Sequence, residues 1–361
     1  MKMIAGFSVV LAATSLVASN HKPVENYDNV FNGNSTVFAD GKFHGSLDFY
    51  KTFVNDEAAA AASNFIGLSN ANIFYGKKLG NKVNAQLNVH WGEIDVVHVA
   101  SPEAWGDFIV AEAFLTYRVM PNAQIKVGQF LSSFGSYDVY TADKNLIDQR
   151  ISFSANNNSA ELAYALNPNT YVKVWASHPH DLSLAPAEVR DEFYGAKIGH
   201  TFNSKDVKVV TDLSMVNDAR QMFEYNGDVN TDIKKSNAYL AQVAVNYGAV
   251  EVKARLLRFP KLLTLATDPN ETITPEYKGL SFAYNTVLSG HKAQLLAEYD
   301  KAKDIDDAAI EYGKYSKRLG LFLTTPVDKN VNLVLGVSER TSDNAALKKQ
   351  RTTSIGLKAS M

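Results

Sequence analysis

Alternation of apolar and polar residues is the strongest pattern along the chain. In the segment from Val83 to Trp91, every second residue is apolar, and the residues between them, such as Asn84 and His90, are polar. Successive side chains of a β-strand point to opposite faces, so this period of two predicts a strand with one apolar and one polar face. A soluble β-sandwich shows the same pattern, and one segment therefore does not decide the fold.

The same alternation recurs along most of the chain. It is clearest in segments 43–50, 111–118, 207–215, 239–247, 250–256, 280–284, 293–299, 319–323, 331–337 and 355–361. Together with weaker segments it predicts about sixteen strands, each of roughly the nine to eleven residues that a tilted membrane strand requires. We find no convincing amphipathic helix between them.

The segments between these strands alternate between short and long. The short connections are rich in Gly, Asn, Asp, Pro and Ser, the residues that tight hairpins favour, and they lie at 77–81, 121–122, 167–170, 203–206, 248, 289–290 and 326–330. The long connections are polar and lie at 54–63, 92–107, 131–149, 177–191, 218–235, 259–276, 301–311 and 340–349. Short turns on one side and long loops on the other are typical of outer-membrane barrels. The sequence therefore predicts an all-β fold, a transmembrane antiparallel β-barrel with short periplasmic turns and long extracellular loops.

Aromatic residues at the predicted strand ends agree with this interpretation. They fall on the apolar face, where amphipathic rings form girdles between lipid and water. These residues are Tyr75, Trp91, Tyr117, Tyr164, Phe202, Tyr247, Tyr284 and Tyr299.

Composition narrows the possible partners and the compartment. Charged residues make up 20% of the chain and the net charge is −2, so the sequence has neither the basic excess of a nucleic-acid-binding protein nor an acidic tail. Beyond the N-terminus no stretch has the roughly twenty apolar residues of a spanning helix, which leaves a closed barrel as the route across a membrane. The chain has no cysteine, and this excludes disulfides and a lipoprotein anchor.

The first residues predict export. A basic start at Lys2 is followed by an apolar run from Ile4 to Val17 and by the small residues Ala18 and Ser19. This order is typical of a secretory signal peptide, although a short N-terminal helix is an alternative. We expect a signal peptide over 1–19, a short periplasmic segment over 20–41 and the barrel over 42–361, in the bacterial outer membrane after Sec-type export.

The predicted strand number also bears on the lumen. A barrel of about sixteen strands encloses an aqueous channel, whereas eight strands leave an interior filled by side chains. Energy-coupled transporters use about twenty-two strands and a folded plug, for which the short segment before Phe43 is too small. An open or loop-restricted pore is therefore expected.

The third long connection carries a resemblance to a known family. A strand ending in Val127-Gly128-Gln129-Phe130 is followed by Phe134-Gly135-Ser136-Tyr137-Asp138. This segment resembles the third-loop region of sixteen-stranded outer-membrane porins, and is most similar to the siderophore porins typified by the legiobactin receptor. The resemblance implies a loop that folds into the lumen, with acidic loop residues facing a basic patch on the wall. The implied constriction residues are Phe134, Gly135, Tyr137, Asp138, Asp143, Lys144, Asp148 and Arg150. The alternative is a loop that lies over the mouth with solvated charges.

Charged residues on the polar face are expected to line the lumen, because a Lys or Arg facing lipid at mid-depth costs about 2–4 kcal/mol. The expected basic residues are Arg118, Lys126, Lys173, Lys208, Lys253, Arg255, Lys292, Arg318 and Lys358. The expected acidic residues are Asp48, Glu112, Glu161, Asp212, Glu251 and Glu298. The slight basic excess predicts a weak preference for anions, reduced by salt screening in a wide pore.

Signals for catalysis and for metal binding are weak. No distinctive nucleophile motif surrounds any serine, His178-Pro179-His180 lacks a clear further ligand, and Asp228-Val229-Asn230-Thr231-Asp232 lacks the glycine and glutamate of a calcium loop. We therefore expect no enzyme, no cofactor and no metal, although an enzymatic barrel and a structural barrel or adhesin remain the rival classes.

The predicted function is passive diffusion of small hydrophilic solutes through a loop-constricted lumen. The alternative is a siderophore-uptake porin that imports a ferric chelate without a plug domain. The expected partners are outer-membrane lipids and either small solutes or a ferric siderophore. A homotrimer is the usual assembly of porins, but the sequence does not identify the wall that would form it.

Overall fold

The computed structural model describes most of the strand-forming part of the chain. The described residues are 31, 38–56, 63–92, 108–130, 132–135, 146–148, 157–178, 192–219, 236–260, 262–263, 272–288, 290–303, 316–342 and 349–360. The predicted signal peptide lies outside them.

Eighteen strands are present in these residues, of which sixteen form a closed barrel. The strands of the first half are β1 Asp40–Asp56, β2 Ser63–Lys78, β3 Val83–Gly92, β4 Phe108–Met120, β5 Ala123–Phe130, β6 Asn157–Asn167, β7 Thr170–His178, β8 Phe193–Asn203 and β9 Val207–Val216. Those of the second half are β10 Ala238–Tyr247, β11 Val250–Arg258, β12 Leu262–Leu263, β13 Thr272–Ile273, β14 Glu276–Leu288, β15 His291–Lys303, β16 Lys317–Asp328, β17 Val331–Thr341 and β18 Gln350–Ser360.

Each barrel strand pairs with the barrel strands before and after it in the chain, and β1 pairs with β18 to close the barrel. Every pairing is antiparallel. Closure leaves no strand edge with unpaired backbone groups, which is the condition for a sheet to exist in lipid. The predicted fold class and strand number are confirmed.

The connections confirm the predicted alternation of length. The short ones span 79–82, 121–122, 168–169, 204–206, 248–249, 289–290 and 329–330, and the long ones span 57–62, 93–107, 131–156, 179–192, 217–237, 259–275, 304–316 and 342–349. Two short turns contain Gly248 and Gly290 at φ 57° and 84°, a region that glycine enters without steric cost. The sequence pattern did not predict the small ribbon of β12 and β13, which lies in a long connection between β11 and β14.

The distribution of side chains is the reverse of that in a soluble protein. Large apolar residues such as Leu213, Leu280 and Leu321 are more than half exposed, whereas Arg318, Lys126 and Lys173 are almost fully buried. The exposed residues occupy one face of each strand and the buried charged residues the other, as the period of two requires. The outer surface of the barrel is therefore an apolar belt, and the inner surface is polar. Among the described residues, no helix combines the length and the apolar character needed to cross a membrane.

Candidate pore constriction

Two described parts of the third long connection, which joins β5 to β6, pack against the inner wall of the barrel. Its described residues Phe134, Leu146 and Ile147 belong to one buried apolar cluster together with side chains of the inner wall. The wall and loop-base residues of this cluster are Trp175, Val216, Ala219, Ala238, Leu240, Leu257, Phe259, Tyr277 and Ala302. They lie on or beside β7, β9, β10, β11, β14 and β15, toward the ends that join the long connections. The described part of the loop therefore packs against the inner wall.

An ion pair holds the second described part of this loop. The Asp148 carboxylate accepts a hydrogen bond from the Arg255 guanidinium of β11 at 2.5 Å, and the two side chains are 0% and 4% exposed. Beside this pair, a Cβ on Gly279 of β14 would lie 3.0 Å from Ile147 Cδ1 and 2.8 Å from Asp300 Oδ1. A glycine at this position thus lets the loop approach the sheet closely.

Two lysines hold the first described part of the loop. Lys197 Nζ of β8 donates to the carbonyl oxygen of Gly135 at 3.3 Å, and Lys173 Nζ of β7 donates to Ser133 Oγ at 3.5 Å. Gly135 has φ 76°, which favours glycine and turns its carbonyl within reach of the lysine. The loop is therefore attached to the wall on both sides of its undescribed centre.

Acidic residues of the same wall balance these lysines. Lys173 Nζ lies 3.6 Å from Glu161 Oε1, and Lys197 Nζ lies 3.6 Å from Asp212 Oδ2. The hydroxyl of Tyr171 donates to Asp212 Oδ1 at 2.6 Å. A further basic side chain, Lys126, lies over the rings of Phe114 and Phe130, 5.2 and 4.4 Å from their centroids. Near the loop this wall carries the basic residues Lys126, Lys173 and Lys197 and the acidic residues Glu112, Glu161 and Asp212.

A second charge cluster lies on β15 and β16. Arg318 is fully buried and donates to Glu298 Oε2 at 2.9 Å and to Asp300 Oδ2 at 3.5 Å. Its guanidinium lies 5.5 Å from the centroid of the Phe322 ring. Buried charges are expensive unless they are paired and hydrogen-bonded, and this cluster meets that condition.

The lumen is also occupied near the short-turn end. Phe31, which the sequence placed in a segment ahead of the barrel, is fully buried against Ala163 and Ala165 of β6. The Arg118 guanidinium lies 4.7 Å from the centroid of its ring, and Lys173 Nζ donates to its carbonyl oxygen at 3.5 Å. Lys173 therefore contacts both the third loop and Phe31.

The structure places the predicted lumen charges as follows. Most of them lie on the inner face of the barrel. The buried ones are Lys126, Lys173, Arg255, Arg318, Glu112, Glu161 and Glu298, and the half-buried ones are Arg118, Asp48, Asp212, Glu251, Lys253 and Lys358. Lys208 and Lys292 lie on the inward side of their strands but are exposed near the short turns. Asp48 pairs with Lys358 across the β1–β18 seam at 4.0 Å.

Of the predicted loop residues, Phe134, Gly135 and Asp148 lie inside the barrel. The remaining predicted loop residues lie outside the described ranges, and they are Tyr137, Asp138, Asp143, Lys144 and Arg150. Sequence reasoning missed Lys197 and Asp300, which the structure brings into the two charge clusters. The apolar residues Ala196 and Ile198 on either side of Lys197 indicated that Lys197 faces inward, and Asp300 lies two positions after Glu298 on the same face.

The candidate metal and catalytic residues are only partly described. His178 is exposed at the end of β7, and the residues that follow it lie outside the described ranges, as does the calcium-like segment 228–232. No group of three or more potential metal ligands occurs in the part of the chain that the structure describes.

Comparison with known proteins shows which solved structures have a similar fold. No family model and no curated protein sequence matches the chain. Among solved structures, the outer-membrane channel DcaP of Acinetobacter baumannii is 11% identical, with 90% of this chain and 99% of that chain covered and a TM-score of 0.60. OprB of Pseudomonas putida is 10% identical, with 89% and 95% covered and a TM-score of 0.62. The anion-selective porin from Comamonas acidovorans is 11% identical, with 89% and 99% covered and a TM-score of 0.57. The chain therefore has the closed sixteen-stranded antiparallel barrel fold of the outer-membrane porins.

Proposed function

We propose that this barrel is integral to the bacterial outer membrane and conducts small hydrophilic solutes by passive diffusion. The observation that carries the proposal is the burial of Asp148 and Arg255 as an ion pair inside a barrel whose outer surface is apolar. An apolar belt requires lipid around it, and a polar inner wall favours water within. In this proposal the third loop, which is attached to the inner wall, determines the width of the pore.

The inner wall also supports a weak preference for anions. Near the first part of the loop, Lys126, Lys173 and Lys197 are balanced by Glu112, Glu161 and Asp212. Among all the charged inner-wall residues named above, basic side chains slightly outnumber acidic ones. In a narrow space with low-dielectric walls, a small excess of basic side chains raises the local concentration of anions. The contribution decreases as ionic strength rises, because the screening length shortens from about 10 Å at 0.1 M to about 3 Å at 1 M salt.

A siderophore-uptake porin is the second candidate, favoured by one observation. Two separate segments, the third loop and the part of the chain that contains Phe31, contact the same inner-wall side chain, Lys173. A lumen that two segments occupy suits a channel that selects its solute better than it suits a general pore. In this second candidate the long loops bind the ferric chelate before it enters the lumen.

Planar-bilayer recording of the refolded protein, with and without ferric siderophore, tests both candidates. Steady conductance steps that do not saturate at modest solute concentration would support a general porin. Block by micromolar chelate would support the siderophore candidate. A barrel that is folded, as judged by its heat-modifiable migration on a gel, and yet conducts no ions would contradict the proposed pore.

Trimer formation is part of the same proposal. One solved neighbour, OmpT of Vibrio cholerae, is described in a trimer form, and it is 12% identical to this chain with a TM-score of 0.53. Sedimentation of the purified protein in detergent, corrected for bound detergent, would distinguish a trimer from a monomer.

A further inference from the structure

Two residues that precede β1 contact the inner wall of the barrel, and Phe31 makes the first of these contacts. It is fully buried against Ala163 and Ala165 of β6, and its ring lies 4.7 Å from the Arg118 guanidinium. Lys173 of β7 donates to its backbone carbonyl oxygen at 3.5 Å. This contact therefore combines an apolar surface, a cation over the aromatic ring and a hydrogen bond from a charged donor.

Phe38 makes the second contact. The side-chain amide of Gln86 on β3 binds its backbone twice, since Oε1 accepts from the N–H at 3.1 Å and Nε2 donates to the carbonyl oxygen. Gly76 of β2 leaves room for this arrangement, because a Cβ there would overlap the Phe38 carbonyl oxygen and the Gln86 amide. The ring of Phe38 stacks on His44, with 3.8 Å between the centroids. The chain ahead of β1 is thus attached to the inner wall at two described residues.

Lys173 connects the first contact to the third loop. Its ammonium lies 3.5 Å from the Phe31 carbonyl oxygen, 3.5 Å from Ser133 Oγ at the base of the loop and 3.6 Å from Glu161 Oε1. An ammonium has three hydrogens, so it can serve these three acceptors together. A lysine side chain is long and flexible, and acceptors on several sides are needed to fix its position. If Phe31 leaves the wall, water reaches the ammonium and the hydrogen bond to Ser133 is weakened.

We propose that Lys173 is a positioning residue through which the chain ahead of β1 controls the constriction. While Phe31 and Phe38 are bound to the inner wall, Lys173 keeps the base of the third loop in place. When the two residues are released, the base of the loop becomes free to move. The proposal rests on the proposed pore, in which this loop determines the width. Coupling between two sites is carried by groups that both sites contact, and Lys173 is such a group.

Thiol labelling of the folded protein measures the freedom of the loop without a conductance measurement. The chain has no cysteine, so Ser132→Cys introduces a single reporter beside Ser133, at a position that is 2% exposed. The unanchored variant carries Phe31→Ala and Gln86→Leu, which remove the ring that packs on β6 and the amide that binds Phe38. We expect a maleimide to label the reporter at least about fivefold faster in this variant than in the parent protein. Heat-modifiable migration on a gel checks that each variant is folded.

A matched control removes the same types of side chain from the outer face. It carries Phe43→Ala, where the ring is 73% exposed, and Gln129→Leu, two positions from the half-exposed Val127 on the same face of β5. Labelling of the loop reporter should be unchanged in this control. A second reporter, Ser354→Cys on the inner face of β18, is 4% exposed and detects loosening of the whole barrel. Its labelling should be the same in the parent protein and in the unanchored variant.

A double-mutant cycle assigns the coupling to Lys173. The paired variant Lys173→Met with Glu161→Gln removes the ammonium together with its acidic partner, so that no buried carboxylate is left there without a counter-charge. We expect the loop reporter to be labelled faster in this background than in the parent protein. Adding Phe31→Ala and Gln86→Leu should then accelerate labelling by less than about twofold, because the connecting group is already absent.

Four outcomes would overturn the proposal. They are equal labelling of the loop reporter in the parent protein and the unanchored variant, equal acceleration in the outer-face control, acceleration at the β18 reporter, and acceleration by the same factor with and without Lys173. None of these outcomes depends on conductance. A failed pore and a failed coupling are therefore distinguishable.

Discussion

Asp148 and Arg255 join the third long connection to the wall of β11, with 2.5 Å between carboxylate oxygen and guanidinium nitrogen. Both side chains are nearly inaccessible to solvent, and breaking such a pair from one side leaves the other charge buried without its partner. The pair therefore holds the described residues 146–148 against the inner wall, and it is the first contact to test.

Asp148→Asn should release the second described part of the loop. Removing one member of a buried ion pair costs about 3–5 kcal/mol locally, so we expect a larger single-channel conductance and more frequent current fluctuations. The measurement is planar-bilayer recording, with Asp206→Asn at an exposed short turn as the matched control. An Asp148→Asn channel with the conductance and noise of the parent protein would refute the role of the pair.

Lys197→Gln should lower the preference for anions. The substitution removes one of the three basic residues that balance Glu112, Glu161 and Asp212, and it leaves the wall near Gly135 with a net negative charge. We expect the reversal potential in a salt gradient to shift toward cation preference, by more at 0.1 M than at 1 M salt because screening is weaker there. Lys77→Gln, an exposed lysine near a short turn, is the control and should leave the reversal potential unchanged. The same shift in both variants would argue against a local effect.

Phe31→Ala should widen the lumen near the short turns without unfolding the barrel. The ring packs on Ala163 and Ala165 and lies against Arg118, whereas the barrel closes through backbone hydrogen bonds that do not involve it. We expect higher conductance with little change in the thermal unfolding temperature. Phe43→Ala, on the outer face where the side chain is 73% exposed, is the size-matched control. The prediction fails if conductance is unchanged in the Phe31 variant.

Leu321→Arg should destabilise the barrel in lipid, because this side chain lies on the outer face of β16 between Ala297 and Val337. An arginine facing lipid at mid-depth costs about 2–4 kcal/mol of folding free energy. Thr324→Arg, on the inward face of the same strand, should cost much less. Urea titration of the protein folded in phospholipid vesicles measures both free energies. A larger loss for the Thr324 variant would reverse our assignment of the two faces.

The sequence by itself determined the strands, their two faces and the alternation of turns and loops. These features are local, since a period of two along one strand already decides which side chains share a face. For this reason the sequence alone predicts that Arg318, Lys126 and Glu298 face the lumen, and the structure buries all three. The same rule places Lys197 on the inner face, although the alternation along β8 is too weak to identify it with ease.

Only the tertiary structure decided which distant residues meet. Asp148 and Arg255 are 107 positions apart, and Phe31 and Lys173 are 142 positions apart. No local period relates such positions, because closure of the barrel and the path of the third loop bring them together. The contacts of Lys173 likewise depend on register, and a shift of one residue between β6 and β7 would turn Glu161 or Lys173 to the other face. The faces of the strands follow from the chain, whereas the loop contacts, the occupied lumen and the contacts of Lys173 follow from the way the strands are aligned and closed.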